Sequence, residues 1–530
     1  MPRKTGFAPL TVRGPMLFDY RDTVPLSGMP PVSVEEMGDF VRRYIAEGWR
    51  LLALFGLPQS SEKNAPAGLC CVLAQDSSHY LAALRTEPLR FYPSMTPATP
   101  QAHLFEREIF EQWDIEPVGH PWLKSVRRIP DAAEAHARTA AEGGSLAAAP
   151  ADEPKPYAFF RIDGEEIHEV AVGPVHAGVI EPGHFRFQCH GENVMHLEIA
   201  LGYQHRGIEK MLLHGPLARC LPLLECAAGD TTVGHATAHC VLLERLAGCV
   251  VAPRAHRLRR VGLELERLAN HTGDLGAIAG DTGFLPTASW NGRIRGDFLN
   301  TTACLCGNRF GRGLLRFGGT AYDLNADECA DMLARVKAAG RDVRGAVDVM
   351  LHSQSVLERL TGTGLVSMET AQNLGLVGMP ARACGLKMDA RFHYPLADLP
   401  NRDCAPRVEN SGNVLARTLV RSNEIDDSLR LLEADLATLA SIPALAEEPA
   451  PLEANALPPD TLAVSQVEGW RGEICHVAVT GHDGGFLAYK AIDPSFHNWA
   501  GLAMALRGNQ ISDFPLCNKS FNLSYCGYDL

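Results

Sequence analysis

Glu181 and His184 stand three residues apart in Ile180-Glu181-Pro182-Gly183-His184. A carboxylate and an imidazole at that spacing can take up and pass on protons near neutral pH. Residues 170–177 read as a strand end that breaks at Gly173-Pro174. Gly178, Pro182 and Gly183 bend the segment beyond it, so both groups are expected on a loop. By itself the pair suits an exposed turn equally well. His235 and His239 make a second constellation, four apart in a segment that should be helical, so their imidazoles can face one way and could share a divalent metal. The spacer Ala236-Thr237-Ala238 lacks the glutamate of a zinc-peptidase motif, and the pair reads better as buried, hydrogen-bonded histidines.

These groups have to be positioned by a large chain. At 530 residues and roughly 150 residues per domain, two to four units are expected. Apolar residues make up 46% and charged residues 21% of the chain, which fits a globular protein with a sizeable core. The net charge of -13 argues against a nucleic-acid surface. No apolar run approaches the ~18 to 20 residues that cross a bilayer, and no secretory segment follows Met1-Pro2-Arg3-Lys4, so a cytoplasmic chain is expected. Fifteen cysteines without regular spacing read as reduced thiols.

The first unit covers residues 1–130. Ser33 and Glu36 form a capping box that opens a helix over 32–44. Residues 49–57 and 68–73 read as strands, and 77–85 as another helix. Residues 131–156, dominated by Ala, Gly, Pro and charge, have linker composition. In the second unit, 157–530, the clearest helix spans 250–274, with Pro253 in its first turn and Leu258, Val261, Leu265 and Leu268 as a buried stripe. Arg257, Arg259, Glu264 and Arg267 fall on its other faces, where surface or interhelical pairing is expected. Residues 326–360 and 413–442 read as further long helices, which suggests a bundle. Residues 473–491 read as a hairpin turning at Gly481-His482-Asp483-Gly484-Gly485. Gly362-Thr363-Gly364 lacks the third glycine of a nucleotide loop, so NAD binding by this chain is unsupported.

The order of several blocks carries a resemblance. Pro174-Val175-His176, Ile180-Glu181-Pro182-Gly183-His184 and His205-Arg206-Gly207-Ile208-Glu209-Lys210 are followed by Pro253-Arg254 and Glu264-Leu265-Glu266-Arg267-Leu268-Ala269-Asn270-His271. Gly307-Asn308-Arg309-Phe310-Gly311 and Ala381-Arg382-Ala383-Cys384-Gly385 complete the series. Together they resemble the large subunit of energy-converting, group 4 [NiFe] hydrogenases of the formate-hydrogenlyase and hydrogenase-4 kind, and its relative, the 49-kDa (D) subunit of complex I. In the first unit, Tyr92-Pro93-Ser94-Met95-Thr96-Pro97, Glu106-Arg107-Glu108 and Gly119-His120-Pro121 resemble the 30-kDa (C) subunit and suggest a docking module without catalysis. The implied fold class is α+β: a small mixed α/β domain of the 30-kDa type, a linker, then a mainly helical bundle of the large-subunit type with small β elements.

The resemblance fails at the metal. A [NiFe] site takes four thiolates, since soft sulfur ligands hold these metals. Aligned on His235 and Glu244, the first pair falls at Ala228 and Thr231; the second falls at Ser495 and Asn498, within Asp493-Pro494-Ser495-Phe496-His497-Asn498. No Cys-x-x-Cys occurs in the chain. A subunit without its own NiFe centre is therefore expected, binding no cofactor by thiolates, with the tail beyond Asn498 retained.

By resemblance Glu181 takes the role of a proton-relay glutamate, with a raised pKa if buried, and Arg382 that of an arginine overhanging the site. His184, or else His176, takes the histidine position of a quinone cleft. The tyrosine position aligns with Gly229, which leaves that pair incomplete. Asp230 joins the cleft side, while His205 and Arg206, with Glu209, are expected to stabilise a helix start and a contact with a neighbouring subunit. The family implies an iron-sulfur small subunit of the complex I B type, a ferredoxin-like subunit, membrane ion-translocating subunits and a quinone as partners, with iron-sulfur clusters in those subunits. It implies a peripheral place on the inner face of the cell membrane. Two other roles stand beside redox coupling: an inert scaffold, and a hydrogenase with unusual metal ligands.

Overall fold

The structure, a computed structural model, describes residues 14–62, 65–127, 158–178, 180–397, 399, 405–445, 452 and 457–530. The whole of the expected linker, 131–156, and most of the Pro/Ala-rich stretch beyond 448 lie outside the described residues. The amino-terminal part is built on four antiparallel strands, β1 (Met16–Asp19), β2 (Arg50–Pro58), β3 (Ala67–Gln75) and β4 (Tyr80–Arg85), in the order β1-β4-β3-β2. Helix α1 (Val34–Ala46) starts at the expected capping box, the Ser33 hydroxyl accepting the Glu36 N–H and the Glu36 carboxylate that of Ser33, and helix α2 (His103–Trp113) packs against β2.

Residues 80–85 are a strand, not the expected helix. Leu81-Ala82-Ala83-Leu84 contains good helix formers, but all four side chains are buried and the segment pairs with β3 on one side and β1 on the other. Burial between two partner strands overrides a propensity worth only tenths of a kcal/mol per residue.

A second sheet of β5 (Ile167–Val172), β6 (His184–His190) and β7 (Asn193–Ala200), in the order β7-β6-β5, follows the undescribed stretch. His184 is therefore the first residue of a strand, not a loop residue, because the alternating Phe185, Phe187 and Cys189 are buried and draw the segment into the sheet. The helical part comprises α3 (Thr232–Ala247), α4 (Pro253–Asp281), α5 (Leu285–Cys306), α6 (Ala326–Leu351) and α7 (Val414–Ser441). Helix α4 runs seven residues beyond the expected end, with Leu258, Val261, Leu265 and Leu268 fully buried and Pro253 at its start. Arg259, Glu264 and Arg267 are buried as well, paired inside the protein: Arg259 to Glu244, and Arg267 to Glu264.

A third sheet, β8 (Thr461–Glu468), β9 (Glu473–Thr480) and β10 (Phe486–Ile492), includes the expected hairpin, where Gly481 N–H donates to Gly485 O at 2.8 Å. Val24–Pro25 adds a short edge strand to it, pairing with Leu462 and Thr461. Helix α8 (Pro494–Ala505) follows β10. Two ion pairs also join the amino-terminal part to this sheet: the part-buried Arg50 with Glu473 at 2.5 Å, and the buried Lys490 with Glu108 at 2.6 Å. Glu106-Arg107-Glu108 is thus an internal element. Glu106 accepts the N–H groups of Met95 and Thr96, and Arg107 donates to the carbonyls of Lys124 and Ser125.

Candidate functional site

Ala228 and Thr231, just ahead of α3, and Ser495 and Asn498, on α8, are the four positions that the sequence resemblance assigns to thiolates, and all four residues are buried. Ala228 has no donor atom. The Thr231 hydroxyl lies between the Asp230 carboxylate and the Arg471 guanidinium, 3.2 Å from each. The Ser495 hydroxyl accepts the Ser524 N–H at 2.9 Å. The Asn498 amide takes the Val377 N–H and gives its own N–H to the Val377 carbonyl, both at 3.1 Å. A soft metal needs deprotonated sulfur; here one position is bare and three are occupied by hard oxygen or amide groups already bonded to the protein. The residues present do not fit a [NiFe] centre.

Glu181 is half-buried rather than buried, on the loop before β6, and its carboxylate meets the tail of the chain. It accepts the Tyr525 N–H at 3.4 Å and lies against the Cys526 thiol, which burial pushes up to about 11. Gly183 brings the two segments together, since a Cβ there would come 2.5 Å from the Tyr525 ring. The carboxylate of Asp529, pushed up to about 6 by burial, accepts the N–H groups of Gly202 and Gln204 at 2.8 and 2.9 Å.

The other expected residues divide into separate groups. His205 Nδ1 contacts the Asp529 carbonyl at 2.7 Å, and Arg206 donates to the carbonyls of Cys226, Ala227 and Cys526. Both hold the tail of this chain. Asp230 makes a two-point ion pair with Arg471 at 2.6 and 2.8 Å; burial alone would raise its carboxyl, but Arg471 outweighs it and holds it below the usual range. His184 stays beside β5, its Nδ1 3.3 Å from the Gly173 carbonyl and its Nε2 accepting from Arg186, and burial depresses its pKa. His176 contacts the Gly183 carbonyl at 2.9 Å.

Arg382 belongs to an internal charge network. It is fully buried on the short helix Gly378–Ala383 and bonds Glu424 at 2.7 Å and Glu468 at 2.6 Å, with Asp389 at 3.9 Å. His271 Nε2 and Arg267 lie 2.9 and 3.8 Å from the same Glu424. Burial alone would lower the Arg382 pKa, but the facing carboxylates outweigh it and hold it above the ordinary value. Its charge is engaged by both carboxylates inside the protein. His235 and His239 do not converge either: His235 reaches Asp493 and His476, and His239 turns to Tyr489.

Sequence reasoning missed Cys526, Asp529 and Arg471. All three act on the cleft from parts of the chain far from the histidine-rich stretch, and the turns at Gly469 and Gly472 that aim Arg471 were the only local signal.

Comparison with known proteins follows the same lines. Residues 281–529 match the family model of the respiratory-chain NADH dehydrogenase 49 Kd subunit. The chain is 29% identical over 494 residues to hydrogenase-4 component G of Escherichia coli, covering 91% of this chain and 84% of the relative. It is also 29% identical to formate hydrogenlyase subunit 5 of Escherichia coli, covering 82% of this chain and 76% of that protein. NADH-quinone oxidoreductase subunit 4 of Thermus thermophilus is 27% identical and covers 66% of the chain and 90% of the relative. Among solved structures, a chain of the archaeal membrane-bound sulfane sulfur reductase shares the fold, with a TM-score of 0.61 at 22% identity, over 70% of this chain and 100% of that one. No helix among the described residues is long and apolar enough to cross a membrane.

Proposed function

From a chain homologous to the large subunits of group 4 hydrogenases and to the 49-kDa subunit of NADH-quinone oxidoreductases, we infer a subunit of a membrane-associated redox complex that couples electron transfer to proton or ion translocation without a NiFe centre of its own. The observation that carries this reading is the state of the four ligand positions: Ala228, Thr231, Ser495 and Asn498 are buried, and the three with polar side chains are hydrogen-bonded to their own protein. The cleft therefore works with protons and polar groups, among them Glu181 beside Cys526.

The finer reading is a 30-kDa-like first domain and a large-subunit-like second domain, docked peripherally on the inner face of the membrane. An iron-sulfur small subunit, a ferredoxin-like subunit and ion-translocating membrane subunits are its partners, and they supply the iron-sulfur clusters. A quinone is the candidate small acceptor. One observation favours the inert-scaffold alternative: Arg382, the expected cleft cation, is consumed by Glu424 and Glu468.

The experiment is purification of the complex through a tag on this chain, with metal analysis, identification of the co-purifying subunits, and turnover of the Glu181→Gln variant. Iron without nickel, an iron-sulfur subunit and a lowered turnover are expected. About one nickel per chain would restore a hydrogenase; unchanged turnover in the variant would leave a scaffold.

A further inference from the structure

Five side chains outside the ligand positions form one unbroken hydrogen-bonded file through the protein. Asp493 Oδ2 lies 3.1 Å from His235 Nε2, His235 Nδ1 3.1 Å from His476 Nε2, His476 Nδ1 2.9 Å from the Tyr489 hydroxyl, and that hydroxyl 3.0 Å from His239 Nδ1. Asp493, His235 and His476 are fully buried, and His239 and Tyr489 are 1% and 5% exposed. The far nitrogen, His239 Nε2, is buried and has no hydrogen-bond partner. One end of the file caps α8, where Asp493 accepts the Ser495 N–H at 2.8 Å. Tyr489 near the other end, on the edge strand β10, lines a cavity of about 560 Å³ together with Lys490, Glu209 and Leu530.

The donor directions follow from the ends. A carboxylate only accepts, so His235 Nε2 donates to Asp493. With His235 neutral, its Nδ1 accepts from His476 Nε2–H, His476 Nδ1 accepts from Tyr489 O–H, and the tyrosine oxygen accepts from His239 Nδ1–H. Every donor then points towards Asp493, and the bare acceptor is His239 Nε2. That is the proton arrangement required for stepwise hopping, and it explains why a buried ring nitrogen is left unsatisfied against the general rule.

We propose that Asp493, His235, His476, Tyr489 and His239 form a buried proton relay that takes up one proton at the His239 end and holds it as an imidazolium on His235 against the Asp493 carboxylate. On uptake a bond forms at His239 Nε2–H and the Nδ1–H of that ring passes to the Tyr489 oxygen. The tyrosine proton passes to His476 Nδ1, and the His476 Nε2 proton to His235 Nδ1. Four bonds to hydrogen form and three break, a net gain of one proton, and His235 keeps its Nε2–H on Asp493. Burial supports this distribution: it depresses His476 and brings His239 down to about 3, so neither holds the extra proton. Burial alone would raise Asp493, but its bond to His235 and the charge of Arg471 hold it low and keep it an acceptor. The relay stands on this geometry and does not depend on the function inferred above.

The test is ring N–H exchange in the full chain labelled with 15N-histidine. A relay moves protons without opening the fold, so the ring protons of His235 and His476 exchange with deuterium at least about tenfold faster than the backbone amides of Ala238 and Val477, which need local unfolding. Tyr489→Phe, which removes only the hydroxyl, brings the ring rates down to those amides. In the wild type His476 carries its proton on Nε2 and His239 on Nδ1 while His235 is neutral. Ring exchange at the amide rate in the wild type, ring exchange unchanged in Tyr489→Phe, or a His476 proton on Nδ1 beside a neutral His235 overturns the relay. The wild-type measurements decide it even if the variant does not fold.

Discussion

Glu424 and Arg382 hold each other on two atoms, with the Arg382 Nε 2.9 Å and its second amino group 2.7 Å from the same carboxylate oxygen, both side chains being fully buried. The pair also carries Glu468 and His271. Arg382→Met removes the cation that bonds both buried carboxylates. The expected loss is about 3 to 5 kcal/mol of stability, read as a lower urea midpoint of the purified chain. A midpoint within error of wild type would show that the network relaxes or takes up protons at little cost.

Thiol accessibility separates the cysteines of the cleft from those of the surface. Burial pushes Cys526 up to about 11, so little of it is thiolate at neutral pH, whereas Cys226 and Cys304 are exposed. Brief alkylation followed by peptide mass analysis should modify Cys226 and Cys304 first and Cys526 only on unfolding. Early labelling of Cys526 would mean that the tail leaves Glu181 readily.

Gly378 and Gly472 meet backbone to backbone. Gly378 has φ +66°, and a Cβ on it would fall 2.1 Å from the Gly472 Cα. Gly378→Ala therefore combines a left-handed strain with a clash that no rotamer relieves, and a loss of about 1 to 3 kcal/mol is expected. The shift would move Arg382 and Arg471 relative to each other, so the Trp470 fluorescence of the variant should change together with its melting temperature.

Acid sensitivity follows from three histidines held neutral. Burial lowers His103, His239 and His497 to about 3 from an ordinary 6.5. Their folded-state pKa values are depressed, so they contribute stability that is present above the unfolded value and is lost as pH falls from 6.5 towards about 3. Urea midpoints taken down that range should fall, and His497→Gln should flatten the slope. A slope that is the same in this variant would assign the acid lability to the carboxylates.

Glu266 works in the opposite direction. Burial pushes its carboxyl up to about 8, with the charge of Asp230 adding to the effect, while the N–H groups of Val233 and Gly234 at the start of α3 oppose it. A raised acid costs stability as pH climbs from its ordinary 4.5 to about 8. Glu266→Gln should therefore gain on the wild type as pH rises through that window; a constant difference between the two would refute it.

The capping box at Ser33, the stripe of α4 and the hairpin at Gly481 were legible in the sequence because each is decided within a few residues. Residues 80–85 were not, because Leu81-Ala82-Ala83-Leu84 becomes a strand only through its pairing with β3 and β1. Of the site, the sequence showed that the ligand positions had lost their sulfur. It could not show that Arg382 spends its charge on Glu424, some 40 residues away, or that Glu181 meets Cys526 from the other end of the chain. Those are partners at long sequence separation, and neither periodicity nor local spacing encodes them.

The pairing of Val24–Pro25 with Thr461–Leu462 has a consequence for synthesis. The amino-terminal residues emerge first, yet their place in the third sheet exists only after more than four hundred further residues have been made. A contact of such long range is slow to close, so the early segment must wait on the nascent chain with an unsatisfied strand edge. Its completion would mark the moment at which the two halves of the protein become one body.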